Sequence, residues 1–477
     1  MEDQLTTPEA LVELDRARPG LAGQLTVALR EAIVQGRLVP GTRLPSSRGL
    51  AADLRLSRGV VVEAYEQLVA EGRLLARPGA GTVVAPDTGA TQSRWSPPDT
   101  RASTAAQPLP TGNGLRSGVP DLAMFPRAQW RRAYERALSR ARDADFDYGD
   151  PAGAPRLRTE LSNYLGRVRA ARVDPADLVI TTGAAQAFSL VAAVLQSRGA
   201  TTIGIEDPGS SAIRIHLEAQ GLRPVPVPVD AEGLDVEALA RSGVPAVLTT
   251  PAHQYPTGVV LAPRRRAALL AWARTTGGLV VEDDYDAEFR YDRDPVGCLQ
   301  GLAPDLVAHI GSASKALAPA MRLGWLAVPP GWRAAVVAAK SAADIGGPVL
   351  EQLAFAELLG DGGYDRHLRR CRQAHRQRRD ALTAALRRYL PSARISGIAA
   401  GLHLVVELPD GVDDERLADA AQRAGLAPVP LSRLRLAPGG PPGLVLGYAA
   451  NPPAELTRAV RTLASLVPLL PEPDRTR

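Results

Sequence analysis

The sequence predicts an α/β protein of two modules, a small helical one closed by a two-stranded hairpin and a large one whose mostly parallel sheet lies between helices. Three observations carry this. At 477 residues the chain is too long for one ordinary domain. Residues 86–114 hold Pro, Ser, Thr, Gly and Gln with few large apolar residues, so they read as a linker between modules at 1–85 and 115–477. Beyond it, short apolar runs at 178–181, 202–205, 246–249, 279–281 and 307–310 alternate with helical stretches, the pattern of parallel strands covered on both faces.

Composition narrows the class. Hydrophobic residues make up 45%, enough for large cores, yet no apolar run reaches the roughly 18 residues of a membrane span. The start carries Glu2, Asp3 and Glu9 rather than a basic, apolar leader, so a soluble cytoplasmic protein without membrane contact is expected. Two cysteines, Cys298 and Cys371, make no disulfide framework and show no metal-ligand spacing, so no metal is expected. Of 56 basic residues only Lys315 and Lys340 are lysines, against 54 arginines. A lysine retained in so arginine-rich a chain stands out, because lysine can lose its proton and form a Schiff base and arginine cannot. Lys340, in an alanine-rich helical stretch, matches no motif and is expected at the surface.

In the first module, Leu21, Leu25, Leu29, Ala32 and Ile33 have helical spacing, closed by Gly36. The turn from Pro40 to Pro45 leads to Ser46-Ser47-Arg48, whose serines are N-cap candidates opening a short helix through Leu54. Ser57-Arg58 opens the next helix, with Val61, Ala64, Tyr65 and Leu68 on one face and its end at Gly72. Leu74-Leu75-Ala76, the turn Pro78-Gly79-Ala80-Gly81 and Thr82-Val83-Val84 predict a two-stranded wing. Two short helices joined by a tight turn match the helix-turn-helix, whose second helix enters the major groove N-terminus first. From Leu21 to Gly81 there are eight arginines and five acids, a local charge of +3. Arg43, Ser46, Ser47, Arg48, Ser57 and Arg58, with Arg77 and Gly81 in the wing, are the residues expected against DNA, through phosphate contacts and guanine readout.

Residues 21–84 resemble the GntR-type winged helix. The resemblance rests on Gly36, Leu38, Pro40, Gly41, Leu44 to Arg48, Ser57, Arg58, Val61, Ala64, Tyr65, Leu68, Glu71, Gly72, Gly79, Gly81 and Thr82. The family's threonine after Ser-Arg-x is Val60 here, which removes a hydroxyl contact.

In the second module three groups of polar residues each end an apolar run. Ser312-Ala313-Ser314-Lys315, trailed by Arg322, offers two hydroxyls, an amine and a guanidinium within eleven residues. Glu282-Asp283-Asp284-Tyr285 offers acids and a phenol, and Thr182-Gly183-Ala184-Ala185 opens a helix. Singly these are common. In this order, at the carboxyl ends of parallel strands, they meet the needs of pyridoxal phosphate: an amine for the aldehyde, an acid for the ring nitrogen, and hydroxyls, arginine and helix-start amides for the phosphate.

Residues 115 to about 465 are similar to fold-type-I aminotransferases, and the order of modules is that of the MocR subfamily of GntR-type regulators. The marks are Tyr148-Gly149-Asp150-Pro151, Glu206-Asp207-Pro208-Gly209, His253-Gln254-Tyr255-Pro256-Thr257-Gly258, Glu282 to Phe289 and Ser314-Lys315. The resemblance implies Lys315 as the Schiff-base lysine, Asp283 as partner of the pyridine nitrogen and Tyr285 as donor to the ring hydroxyl. It implies Ser312, Ser314, Arg322 and the backbone of Gly183, Ala184 and Ala185 at the phosphate, Tyr255 beside the cofactor, and Tyr148 reaching the other subunit's phosphate across a head-to-tail homodimer.

Three departures bear on function. Tyr255 replaces the aminotransferases' asparagine, and Ser210 replaces the aromatic that stacks on the ring. Val445, in Val445-Leu446-Gly447-Tyr448, replaces the arginine that clamps a substrate α-carboxylate. Losing a charge-assisted pair of that kind costs about 1.5 to 3 kcal/mol of binding, unless Arg433 or Arg435 reaches in. The expected protein is therefore a DNA-binding transcription regulator on a two-part operator. Pyridoxal phosphate is its cofactor or effector, or an amine reacting with it is, and vitamin B6 or amine and amino-acid metabolism is the expected target. A working aminotransferase with a DNA-binding appendage is the alternative.

Overall fold

The computed structural model describes residues 14–77, 81–86, 114–291 and 296–467, and of Arg77 the backbone alone. The turn expected at 78–80 and residues 87–113 of the expected linker lie outside the described residues. The chain forms two compact units, 1–108 and 109–477.

In the first unit α1 (Leu21–Val34), α2 (Ser47–Asp53) and α3 (Arg58–Ala70) precede an antiparallel pair, β1 (Leu74–Arg77) and β2 (Gly81–Val84). Leu25, Leu29, Leu50, Val61, Ala64, Leu68 and Leu74 are fully buried together, one apolar stripe from each element. Side chains cap both short helices. Ser46 Oγ accepts the Gly49 N–H (3.1 Å) and Ser57 Oγ the Val60 N–H (3.4 Å). Between α2 and α3 the chain reverses at Arg55 (φ 49°), where the Leu56 N–H reaches the Ala51 carbonyl (2.8 Å). The Tyr65 hydroxyl ties α3 to the Pro45 carbonyl (3.0 Å), and burial raises its pKa above the usual phenol range.

In the second unit the large sheet is built from β3 (Leu178–Thr181), β4 (Thr202–Asp207), β5 (Arg223–Asp230), β6 (Gly233–Leu234), β7 (Ala246–Thr249), β8 (Leu279–Asp283), β9 (Val307–Ser312) and β10 (Gly324–Ala327), in the order β3-β10-β9-β8-β7-β4-β5-β6. The run from β9 to β5 is parallel. β10 runs antiparallel to both of its neighbours, so β3 and β9 point the same way. The carboxyl ends of β3, β4, β7, β8 and β9 therefore share one edge. A smaller antiparallel sheet, β11 (Arg394–Ser396), β12 (His403–Glu407), β13 (Val429–Pro430) and β14 (Gly443–Gly447), follows in the order β11-β12-β14-β13. No described helix is long and apolar enough to cross a membrane.

β5 is a strand the sequence hid, because Pro224, Pro226 and Pro228 interrupt it. The Arg223 N–H donates to Thr201, which turns the odd-numbered residues towards β4 and puts the prolines in the alternate, outward set. Outside them only the two residues of β6 pair, so the missing donors fall at an open edge.

Lys340 is not at the surface. It is 1% exposed in the helix Arg333–Asp344, which packs on the helix Ala184–Ser197. Its Nζ is neutralised by both carboxylate oxygens of Asp344 (2.9 and 2.7 Å). Burial with an ion-pair partner is the way a lysine is held inside a fold.

Candidate functional site

The shared strand edge opens on a cavity of about 460 Å³. Lys315 lines it from the turn after β9, Asp283 and Tyr285 from the end of β8, and Ala184 and Ala185 from the helix after β3. Ser312, Ser314, Arg322 and Tyr255 complete the expected set on its wall. Gly183 adjoins them. Tyr148 does not line the cavity and is 85% exposed.

Lys315 Nζ donates to the Gly118 carbonyl at 2.6 Å. Burial pulls its pKa below the usual lysine range, against the opposing pull of Asp286 and Asp283. Burial, then the neighbouring charge of Asp284, pushes Asp283 up to about 7, and its carboxylate accepts no hydrogen bond among the described residues. A buried carboxyl left in this state fits a cationic partner entering the cavity. The Tyr285 hydroxyl donates to the His253 carbonyl and lies 3.1 Å from His253 Nδ1, which also faces Asp286 at 3.0 Å. Tyr255 stands edge-on to Tyr285, with ring centroids 6.2 Å apart, and to His403 at 5.1 Å. Burial lowers His403 to about 4, so its ring is neutral at ordinary pH.

The cavity wall also carries groups that can cradle an anion. Gly183 (φ 101°) is the residue before the helix Ala184–Ser197, whose first amides have no helical acceptor. The Arg322 guanidinium lies so close that a Cβ on Gly183 would meet it at 3.0 Å. Ser312 Oγ donates to Ser314 Oγ (2.8 Å) and accepts the Ser314 N–H (3.1 Å). Guanidinium, helix amides and paired hydroxyls form a receptor suited to phosphate.

Val445 is fully buried in β14 against Val405, Leu431 and Leu434. Neither proposed substitute lines the cavity: Arg433 pairs with Glu415 and Asp419 (3.1 and 2.9 Å), and Arg435 donates to the Pro441 carbonyl. Sequence reasoning missed Arg214, which lines the cavity one turn beyond Ser210 and has no ion pair among the described residues. It also missed the support beneath the site. Glu206 accepts from Thr249 Oγ1 and Thr250 Oγ1 (2.5 Å each) and from Gln254 Nε2 (3.2 Å), fixing the loop that presents Tyr255. The available signals were the Glu206 and His253-Gln254 motifs, noted as family marks but given no chemistry.

Glu282, Cys298 and His309 bring ligand-type atoms within 4.8 Å of one another behind β8. Glu282 is already filled by the Leu299 and Gln300 N–H groups (2.8 and 3.1 Å), and burial pushes the Cys298 thiol up to about 12. This is a hydrogen-bonded part of the core.

In the first unit Ser46, Arg48, Ser57 and Arg58 are exposed at the starts of α2 and α3, and Ser47 is half-buried. Arg43 is exposed with its guanidinium against Gly81 of β2, close enough to meet a Cβ there at 3.3 Å. The Arg77 side chain lies outside the described residues. Arg48 and Arg58 have no ion-pair partner among the described residues, whereas Arg30 is tied to Glu71 (2.5 Å).

A mostly parallel sheet with lysine, acid and anion cradle at one edge defines a domain of aminotransferase type. Residues 114–463 match the family of aminotransferase class I and II, and residues 21–84 match the bacterial regulatory proteins of the gntR family. The chain is 34% identical to the HTH-type pyridoxine biosynthesis transcriptional regulator PdxR of Corynebacterium glutamicum, over 90% of this chain and 92% of the relative. It is 31% identical to the probable rhizopine catabolism regulatory protein MocR of Rhizobium meliloti, over 93% and 92%. The second unit is similar to a kynurenine aminotransferase of Pyrococcus horikoshii, with TM-score 0.69 and 26% identity over 75% of this chain and 91% of that one. The chain belongs to the MocR-type GntR transcription regulators, in which a winged helix-turn-helix is joined to an aminotransferase class I and II domain.

Proposed function

We propose that the second unit is a sensor that binds pyridoxal phosphate, alone or with an amine, and that its occupancy sets how the first unit holds DNA. The observation that carries this is one cavity holding Lys315, an Asp283 that accepts no hydrogen bond among the described residues, and the anion cradle, while the clamp position is the buried Val445. Lys315 would hold the aldehyde carbon, Asp283 the ring nitrogen, Tyr285 the ring hydroxyl, and Arg322, Ser312, Ser314 and the amides after Gly183 the phosphate. When bound, the cofactor supplies an aldehyde for amines and a ring that withdraws electrons. The name of the Corynebacterium relative supports control of vitamin B6 synthesis. We place the regulator in the cytoplasm as a head-to-tail homodimer on a two-part operator, with the exposed Tyr148 available to the second subunit.

Footprints on operator DNA with and without pyridoxal phosphate test the sensor. A tenfold change in DNA affinity needs about 1.4 kcal/mol of coupling, within the usual allosteric range. Identical affinities and footprints in both states would sink it. Arg214 keeps the enzyme reading open, because it is a guanidinium on the cavity wall that could take a carboxylate. Little multiple-turnover transamination of common amino acids is expected. Rapid turnover lost in Arg214→Ala would establish the enzyme instead.

Asp283 also sets a pH dependence. Its folded pKa lies above the ordinary carboxyl value, so in the empty cavity the stability this group costs accumulates as pH rises from that ordinary value to about 7 and is constant above it. A cationic ring nitrogen removes this cost. The thermal shift on adding cofactor should therefore grow from about pH 5 to about pH 7 and level off above that in the wild type, and grow less in Asp283→Asn. Equal growth in both would show that Asp283 does not face the ring nitrogen.

A further inference from the structure

We propose that Lys340 is a positioning residue for the phosphate cradle, acting through Asp344 and Gln186 on the backbone of Thr182; this rests on the reading that the cavity takes pyridoxal phosphate. Lys340 Nζ holds both Asp344 oxygens at 2.9 and 2.7 Å. Asp344 Oδ2 accepts from Gln186 Nε2 at 2.7 Å, and Gln186 Oε1 accepts the Thr182 N–H at 2.9 Å. Thr182 precedes Gly183, against which the Arg322 guanidinium lies. The relay thus ends one residue from the cradle.

The direction of the Gln186 amide is what the relay decides. Its two ends are nearly the same size, one donating and the other accepting. A fixed carboxylate at Asp344 takes the NH₂ end, which leaves the oxygen for Thr182. Lys340 holds that carboxylate in place through both of its oxygens.

Helix stability does not explain the pair. Lysine four residues before aspartate is the weaker order for a helical ion pair, and Asp344 is the last helical residue, where a carboxylate opposes the macrodipole. Lys340 also bears the desolvation of a side chain 1% exposed. Both residues are placed against the helix and in favour of Gln186.

The test is to titrate wild type, Lys340→Met, Gln186→Met and the double variant with pyridoxal phosphate and with pyridoxal, which lacks the phosphate, while following melting temperature. Each single variant should weaken pyridoxal phosphate about tenfold, as expected for losing a charge-linked hydrogen bond, and leave pyridoxal within about twofold. The double variant should be no worse than either single one, because all three cut the same chain. Equal weakening of both ligands, unchanged phosphate-ligand affinity in Lys340→Met, or losses that multiply in the double variant would each overturn the relay. Should Lys340→Met fail to fold, Asp344→Asn carries the same comparison at nearly constant volume. Wild-type protein that binds no pyridoxal phosphate would overturn the cofactor reading itself, and is recognised before any variant is made.

Discussion

Lys315→Ala is expected to abolish covalent capture of pyridoxal phosphate. After incubation and borohydride reduction, peptide mapping should find the pyridoxyl group on the Lys315 peptide of the wild type and on no peptide of the variant. The chain supplies its own control, because its one other lysine is Lys340. That amine is 1% exposed and engaged by both oxygens of Asp344, so it is neither reachable nor a free nucleophile. Lys315 differs in each respect. It lines the cavity, its one hydrogen bond among the described residues goes to a neutral carbonyl, and burial lowers its pKa towards the unprotonated amine that attacks an aldehyde. Lys315→Arg should fail equally, since a guanidinium keeps its proton. Label on Lys340 would show that the two lysines have been assigned the wrong way round.

The two lysines also show what the sequence did and did not reveal. Lys315 was legible because hydroxyls, a strand end and an arginine surround it within eleven residues. Lys340 was misread because alanine sets no clear apolar face, although Val336, Lys340 and Asp344 stand at i, i+4 and i+8 and Val336 and Lys340 are both buried. Its partners come from another helix, Ala184–Ser197, and spacing along one helix cannot disclose them. The same limit hid Glu206, His253 and Asp286, whose roles lie in hydrogen bonds between separate elements. Among strands, the runs at 178–181, 246–249 and 279–281 were legible as continuous apolar segments, fully buried in the sheet. β5 was masked by alternating prolines, while β10, β12 and β14 do carry short apolar runs, but their antiparallel pairing is made with strands distant in sequence and is not written in the runs. What is local was readable; what is made by distant partners was not.

Arg58→Ala and Arg48→Ala are expected to weaken operator binding by different routes. Arg58 is the first residue of α3, directly after its Ser57 cap, and the N-terminal residues of the second helix of a helix-turn-helix meet base edges. Its loss should cost about 1 to 3 kcal/mol and relax preference at one base position. Arg48 lies in the first turn of α2, the helix that crosses the phosphate backbone. Its loss should weaken all sequences alike and lower the salt slope by about 1. Both guanidiniums are exposed and without an ion pair among the described residues, so neither must leave a partner to reach DNA. Arg30 is the internal comparison: it is bound to Glu71, so Arg30→Ala should lower the stability of the first unit and leave both salt slope and base preference unchanged. Binding isotherms over a salt series, on operator and on single-base variants, separate the three outcomes. If Arg58→Ala and Arg48→Ala both bind operator as the wild type does, α3 is not the helix that enters the groove. If Arg58→Ala changes only the salt slope, α3 lies on the phosphates, and base readout must come from elsewhere in the unit.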